Sequence, residues 1–460
     1  MNESYHKPDN RDDIKDRDDG IFLHNLFVLE SMFAGFYIAI TRGLTPIFLV
    51  SIGYGLRDIL FFNIIGGILS IIIVNLIYKI GPNTNIKRVL LLSHILERIL
   101  WSSIVLGLYE KELATLFYII ALASIAPTSV FMSISLFMAF EDEKYRKVLS
   151  LRSAVGSATS ILGQAIMTIT LYTIRTYQKY AILYFLAFII GVAGSVVTFH
   201  IPLREKRSLY KLKNTEVDAE SKATNVFLAL SFLLASINLL AISWVPRLMI
   251  DLNAPDYIAA SIGFVQVFAS IIASVFWANK RIESYRYALV LLSIIPLLVY
   301  ITPMPLLHII IAMINGFALV GANFFAGIMY SGLMKHLGIF KSATLLTATS
   351  IFASLIGNGV GYIVASISTT LVFIVASMYG VLGLTIALLA VTEVSPLPKG
   401  MVRVYSRILY NSSMNSYLFI VFTISETAKT TLKIVALSLS FIILFLIYRI
   451  LHYMMVYTSG

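Results

Sequence analysis

Long apolar runs recur along this chain, and the short loops between them carry Lys and Arg mostly on alternate sides. A helix needs about 20 apolar residues to cross a bilayer, and its backbone polar groups must be satisfied within the segment. Hydrophobic residues make up 58% of the chain, charged residues 13%, and the mean hydropathy is +0.86. A soluble chain of 460 residues could not bury that much apolar surface around one core. The pattern therefore predicts an all-α polytopic membrane protein.

The apolar runs can be placed to within a few residues. A thirteenth run lies near 431–456, beyond a polar stretch that is too hydrophilic to span. The first twelve predicted spans are 21–50, 57–79, 89–109, 114–139, 153–172, 181–202, 224–249, 257–278, 287–303, 306–333, 342–366 and 369–391.

The loop charges predict the orientation in the membrane. Cytoplasmic loops are enriched in Lys and Arg, and the basic loops here include the segment 203–223. We therefore expect the N-terminus and the 203–223 loop to lie in the cytoplasm, the C-terminus to lie outside, and the protein to reside in the cytoplasmic (plasma) membrane. The net charge of +11 reflects these loops and predicts no nucleic-acid partner.

The predicted organisation is a six-plus-six helix bundle with one additional C-terminal transmembrane helix. The long polar loop separates two sets of six spans, and a shift of 200 residues lays Pro246 on Pro46. Secondary transporters are often built from such repeats, with the binding site between them. The predicted segments are a disordered cytoplasmic tail 1–20, an N-terminal bundle 21–202, a cytoplasmic linker 203–223, a C-terminal bundle 224–391, a polar interfacial segment 392–430 and an extra helix 431–460.

Two stretches resemble the major facilitator superfamily (MFS) over residues 21–391. Lys79 and Gly81, followed by basic residues at 87–88, fit the family's signature loop after the second helix, although Tyr78 stands at its acidic position. The segment 145–153 resembles the family's entry into helix five, but Gln164 stands where the antiporters' Gly-Pro pair would follow. The resemblance implies a secondary transporter of unassigned subfamily, with helices one, four, seven and ten around a central cavity.

Ionisable residues within predicted spans are functional candidates, because burying charge in a membrane is costly. Glu30 in span one and Arg98 in span three lie at similar predicted depth, so they are expected to meet. Glu97 and Arg98 are adjacent on a helix and are not expected to face each other. Two interpretations stay open: Glu30 couples transport to protons with Arg98 as its partner, or the pair is purely structural.

Arg42 lies near the external end of span one, one turn before Pro46. It is either an interfacial cation that reaches toward the headgroups or an anchor for an anionic solute. Both interpretations stay open.

Amides and hydroxyls complete the candidate set. An amide in a membrane either bonds to a neighbouring helix or lines a hydrated cavity. Asn315 and Asn323 are eight residues apart and are expected on one helix face. The cavity helices implied by the family resemblance favour Tyr37, Ser129, Ser133, Asn238, Asn315 and Asn323, and buried amides add Gln164 and Asn358.

These features predict a secondary active transporter, by symport or uniport, for a small organic solute. An anionic solute is the expectation if Arg42 is a solute anchor. Proton coupling is one expected mode. A flippase for lipid or polysaccharide and a non-transporting receptor or scaffold of the same fold remain alternatives. We expect no enzyme activity, cofactor or metal site, because the seven His show no ligand spacing and Cys is absent. The C-terminal helix is expected to contact a protein partner or a second copy.

Overall fold

The computed structural model describes residues 10–81, 84–140, 142–202, 217–337, 339–413 and 415. Within these residues the backbone is almost entirely helical, and twelve helices are long and apolar enough to cross a membrane. The prediction of a polytopic all-α membrane protein is therefore confirmed. The thirteenth predicted helix, 431–460, lies outside the described residues, as does most of the segment 414–430.

Each of the first twelve predicted spans falls on one helix. The first six are α1 (Asn10–Ser51), α2 (Leu56–Ile80), α3 (Ile86–Ser103), α4 (Lys111–Ala139), α5 (Asp142–Thr173) and α6 (Gln178–His200). The other six are α7 (Val217–Pro246), α8 (Asp256–Ala278), α9 (Tyr285–Ile301), α10 (Leu307–Leu337), α11 (Ile339–Ala365) and α12 (Leu371–Ala390). A 3-10 turn at Ile104–Leu108 extends α3, and a π-helical turn at Arg247–Asp251 extends α7.

Local sequence accounts for the short connections between helices. Gly53 has φ +90°, a left-handed conformation that suits glycine, and it lets the chain turn between α1 and α2. The Asp58 carboxylate then accepts a hydrogen bond from the Gly55 N–H at 2.9 Å, and Asn85 caps α3 by accepting from the Arg88 N–H at 3.0 Å. These bonds satisfy N–H groups that a helix start leaves unpaired.

The two halves pack in the same pattern. In the first half α1 packs on α5 and α6, α4 packs on α2 and α3, and α3 packs on α6. In the second half the corresponding helices six positions later make the same five pairings, with α7 on α11 and α12 and α10 on α8 and α9. The sequence offset of 200 residues therefore corresponds to a repeated arrangement of helices.

Two predicted boundaries were wrong. Residues 10–20 belong to α1 rather than to a disordered tail, and α7 begins at Val217, inside the predicted 203–223 linker. Extending an existing helix adds one hydrogen bond for each residue that is fixed, without a second nucleation cost. The backbone can therefore stay helical beyond the apolar span, into a polar sequence that would not form an isolated helix.

The predicted interfacial segment 392–430 contains a helix over 399–413 that packs against the start of α7. The Asn225 side-chain amide donates to the Ser406 carbonyl at 2.9 Å and contacts its hydroxyl at 2.7 Å. Val402 is buried on the same side, whereas Val404 and Ile408 are exposed. One face of this helix thus contacts the bundle and the other is apolar and open.

The halves meet along α2 with α11 and along α5 with α8. In the first turn of α6, Lys179 forms an ion pair with Asp256 at the start of α8. The neighbouring Tyr180 hydroxyl donates to the same carboxylate at 3.2 Å. Arg57 at the start of α2 lies 4.8 Å above the Tyr362 ring on α11. These contacts close one end of the interface between the halves.

Candidate functional site

Six ionisable side chains meet within the N-terminal half, and we call them the Glu30 cluster. Its members come from α1, α3 and α5, and hydrogen bonds or ion pairs connect neighbouring members. Charged groups within a membrane protein interior persist only when they are paired. The members are Glu30, Arg42, His94, Glu97, Arg98 and Arg152.

Close approach of α1 and α5 brings the cluster together. A Cβ on Gly35 would lie 2.1 Å from the Gly156 carbonyl oxygen, so these two helices touch backbone to backbone. This contact allows Arg152, in the N-terminal part of α5, to reach Glu30 on α1. Their atoms Nη2 and Oε2 are 2.7 Å apart, and the Glu30 side chain is only 3% exposed.

Glu97 is shared by two arginines. Its Oε1 accepts from Arg42 Nη2 at 2.9 Å and from Arg98 Nη1 at 3.1 Å. One carboxylate thus faces two guanidiniums, and the cluster as a whole holds three arginines against two glutamates. Unless another anion is present, the cluster carries an excess positive charge even with a neutral His94.

Tyr37 supports this pairing from α1. The Arg98 guanidinium lies 4.2 Å from the centre of the Tyr37 ring, a distance typical of a cation–π contact. The Tyr37 hydroxyl donates to the Glu97 backbone carbonyl at 3.2 Å. Gly191 on α6 makes room for both side chains, because a Cβ there would lie 2.8 Å from Tyr37 and 2.9 Å from Arg98.

His94 contacts neutral and charged partners on its two ring nitrogens. Nδ1 lies 2.9 Å from Ser195 Oγ, and that hydroxyl donates to the Gly191 carbonyl at 3.2 Å, so Nδ1 is the donor to Ser195. Nε2 lies 3.0 Å from Arg98 Nη2 and 3.2 Å from Glu30 Oε1. A neutral ring accepts from Arg98 and faces Glu30 with a lone pair, whereas a protonated ring donates to Glu30.

The predicted pairing of Glu30 with Arg98 was wrong in detail. Arg98 bonds to Glu97 and His94, and Glu30 bonds to Arg152 and His94. The expectation that Glu97 and Arg98 cannot meet was also wrong. Adjacent Cβ atoms diverge on a helix, but an arginine side chain is long enough for its head to turn back toward a neighbour.

Arg42 is neither a free interfacial cation nor a fully buried one. Its guanidinium pairs with Glu97 and lies 5.6 Å from the Trp101 ring centre. The side chain is nevertheless 34% exposed, whereas that of Arg98 is 4% exposed and that of Arg152 is 13% exposed. Arg42 is thus the most accessible cation of the cluster.

The remaining candidates are distributed through the bundle rather than gathered at the cluster. Gln164 on α5 is buried and donates to the Ala39 carbonyl at 3.1 Å, and Asn358 on α11 donates to Ser354 Oγ at 2.9 Å. Asn315 is buried, and its side-chain oxygen has no partner among the described residues, but Asn323 is exposed. Both residues lie on α10, as expected, but they differ in exposure. Ser133 and Asn238 are half-buried, and Ser129 is exposed.

Gln164 also contacts both halves. A Cβ on Gly43 of α1 would lie 2.9 Å from its side-chain nitrogen, and a Cβ on Gly263 of α8 would lie 2.8 Å from its side-chain oxygen. The amide in this position therefore lies against two glycines, and a side chain at either one would require it to move. Its oxygen has no hydrogen-bond partner among the described residues.

The C-terminal half has a different buried polar pair. Trp244 Nε1 donates to His308 Nδ1 at 2.9 Å, and His308 Nε2 lies 3.1 Å from the Thr302 carbonyl. A ring that accepts at Nδ1 and donates at Nε2 is a neutral imidazole. This histidine therefore has a complete set of neutral partners.

Two members of the Glu30 cluster were not singled out from the sequence. His94 was grouped with scattered histidines, and Arg152 was assigned to a cytoplasmic loop. A signal was present for His94, because it precedes Arg98 by four residues and so shares its helix face. Arg152 gave no such signal, because it precedes the predicted span 153–172, whereas α5 begins eleven residues before that span, at Asp142.

Comparison with solved structures identifies the fold. The chain is similar to the nucleoside transporter NupG (14% identity, TM-score 0.53), covering 80% of this chain and 98% of that one. It is also similar to a bacterial homologue of the iron transporter ferroportin in an inward-facing state (16% identity, TM-score 0.54), covering 80% of this chain and 98% of that one. A third similar structure is a bacterial homologue of the human lysosomal transporter Spinster in an inward-facing and unoccupied conformation (11% identity, TM-score 0.51). The match covers 85% of this chain and 97% of that one. No family model and no curated protein matches the sequence.

The chain is therefore a multi-pass membrane protein, with twelve candidate spans in the part that the structure describes. Its fold is that of the MFS-type transporters, as the resemblance in its loop sequences implied. The three solved structures named above are membrane transporters.

Proposed function

We propose that this protein is a secondary active transporter that carries a small organic anion together with protons by alternating access. The observation that carries the proposal is the Glu30 cluster, which lies buried within the membrane-spanning helices of a transporter fold. Ionisable side chains at that depth are rare and typically mark proton relays or solute pathways.

The proton site of this proposal is the contact between His94 and Glu30. His94 Nε2 lies within hydrogen-bond distance of a donor on Arg98 and an acceptor on Glu30. Gaining a proton there adds a bond to Glu30 and opposes the one from Arg98, while Nδ1 keeps its bond to Ser195. Protonation therefore replaces a bond within α3, to Arg98, by a bond from α3 to Glu30 on α1. A state in which α1 and α3 are close would bind the proton more tightly than one in which they are apart.

The solute charge is inferred from Arg42. Arg42 and Arg98 share one carboxylate oxygen, so one guanidinium charge is left over, and Arg42 is the accessible member. Its Nε has no hydrogen-bond partner among the described residues. A guanidinium can hold a carboxylate or phosphate through two donors, and such a solute would balance the excess charge.

Alternating access is supported by unequal ends of the interface between the halves. One end is closed by Lys179 with Asp256 and by Arg57 with Tyr362. Ser129 and Asn323 are exposed although they lie within membrane-spanning helices. Polar groups at that depth are tolerated where they line water, which favours a cavity open toward the other end. This arrangement fits an inward-facing state in the predicted orientation.

The orientation itself has a direct test. We expect the segment 203–223 to face the cytoplasm because of its cations. Ser208→Cys and Ser221→Cys should each be protected from an impermeant thiol reagent in intact cells and react after permeabilisation. The natural chain has no cysteine, so it is the unlabelled control. Labelling of both positions in intact cells would contradict the predicted orientation and place the segment 203–223 outside.

Transport is tested with purified protein in liposomes and a panel of labelled solutes, with and without an inward proton gradient. The panel comprises carboxylates, organic phosphates, nucleosides, sugars and amphipathic cations. We expect at least one organic anion to accumulate under the gradient, and no accumulation in protein-free liposomes. Accumulation of neutral or cationic solutes alone would overturn the anion assignment, and no movement of any solute would contradict the transporter assignment.

A further inference from the structure

A second candidate site shares no residue with the Glu30 cluster. A cavity of about 440 Å³ opens at the start of α3, between the ends of α4 and α6. Its rim contains Lys87 and Arg88 from the first turn of α3. Its wall contains Leu91, Met138 and Phe199, one from each of the three helices.

The cavity has a polar end and an apolar end. The two cations lie at the end of a membrane span, and Leu91 lies one helical turn deeper. Lys87 Nζ is 5.7 Å from the Phe199 ring centre. Among the described residues no carboxylate forms an ion pair with Lys87 or Arg88, so their charge is available to a ligand.

The apolar end continues onto an exposed face of α6. Phe199 is 55% exposed, and it ends a row of exposed apolar side chains spaced three or four residues apart. Such a row forms one helix face, and in a membrane protein an exposed apolar face contacts acyl chains. The row consists of Phe185, Ile189, Val192, Val196 and Phe199.

We propose that this cavity binds an anionic phospholipid, with its headgroup phosphate on Lys87 and Arg88 and an acyl chain along Leu91, Met138 and Phe199. Basic pockets between membrane helices at the cytoplasmic side are suited to anionic headgroups. The apolar wall and its continuity with the α6 face favour a lipid over a soluble anion. The bound lipid would join the ends of α3, α4 and α6, and it does not depend on the transport proposal.

The test measures thermal unfolding of the full-length protein in neutral detergent with three additives. These are dioleoyl phosphatidylglycerol, dioleoyl phosphatidylcholine and inorganic phosphate. We expect a saturable stabilisation by phosphatidylglycerol alone. Equal effects of the two lipids would show that charge is not recognised, and an equal effect of phosphate would show a free-anion site. Either result overturns the proposal, as does no stabilisation by phosphatidylglycerol.

A matched pair of variants locates the effect. Lys87→Gln/Arg88→Gln should weaken the apparent affinity for phosphatidylglycerol by about thirtyfold. The control Lys280→Gln/Arg281→Gln removes two cations at the end of α8, where Lys280 lies 4.5 Å from the Phe276 ring, and should leave the affinity unchanged. Equal weakening in both variants would indicate a general charge effect and contradict the site. If the first variant does not fold, the three-additive comparison on the natural chain still decides.

Discussion

The two halves of this molecule share their helix packing but differ in their buried polar groups. In the N-terminal half, Glu30, Glu97, Arg98 and His94 are buried together within one network. In the described part of the C-terminal half, the corresponding buried pair is Trp244 with His308, and no ion pair links the helix interiors. A repeated packing pattern therefore does not dictate what the interior contains.

The difference in buried polar groups shows which of them helix packing requires. Apolar side chains, hydroxyls and amides are enough to pack α7 to α12 in the same pairings that α1 to α6 adopt. A buried network of charges is therefore not a requirement of this architecture. Because paired charges often stabilise no more than apolar packing would, their concentration in one half favours a role in transport.

The largest expected effect comes from removing the carboxylate that two arginines share. Glu97→Gln leaves Arg42 and Arg98 without a counter-charge at that point, so the unfolding free energy should fall by about 3–5 kcal/mol. Asn315→Leu in the other half replaces a buried amide whose oxygen has no partner in the described part of the chain, and should be near neutral. Thermal unfolding in detergent measures both. Equal losses of unfolding free energy in the two variants would contradict the claim that the charged network of the N-terminal half differs in energy from the polar groups of the C-terminal half.

A smaller effect distinguishes the partners of Glu30. Glu30→Gln should destabilise the protein, and adding Arg152→Met should recover part of the loss, with a coupling energy of about 0.5–3 kcal/mol. Adding Arg98→Met instead should recover less, because Arg98 remains tied to Glu97. Thermal unfolding of the natural chain and of the single and double variants gives the coupling energy through a double-mutant cycle. Greater rescue through Arg98 would contradict the pairing of Glu30 with Arg152.

The smallest effect is expected in the C-terminal half. Trp244→Phe keeps most of the apolar contact but removes the N–H that donates to His308. A neutral hydrogen bond contributes about 0.5–1.5 kcal/mol, so the loss should stay near that range and transport should continue. The same unfolding assay measures it. A loss as large as that of Glu97→Gln would mean that the neutral pair matters as much as the charge network.

The sequence was sufficient for the spans but not for the network. Apolar length and loop charge placed all twelve helices because bilayer thickness fixes span length. Glu30, Arg42 and Arg98 were identified because charged residues inside apolar runs are conspicuous. Tyr37 was identified because the family resemblance implied that helix one lines the cavity. Their partners depend on side-chain reach and on helix contacts such as Gly35 with Gly156, and local pattern carries no information about those.

The central claim is that His94 and Glu30 couple transport to protons, and the two buried histidines provide the direct test. Liposomes containing the natural chain, His94→Gln or His308→Gln are given an inward proton gradient and the organic anion that the panel identifies. We predict that His94→Gln loses gradient-driven accumulation but keeps solute exchange, whereas His308→Gln, which alters only the neutral pair, still accumulates the anion. Accumulation by His94→Gln at the natural level would contradict the claim.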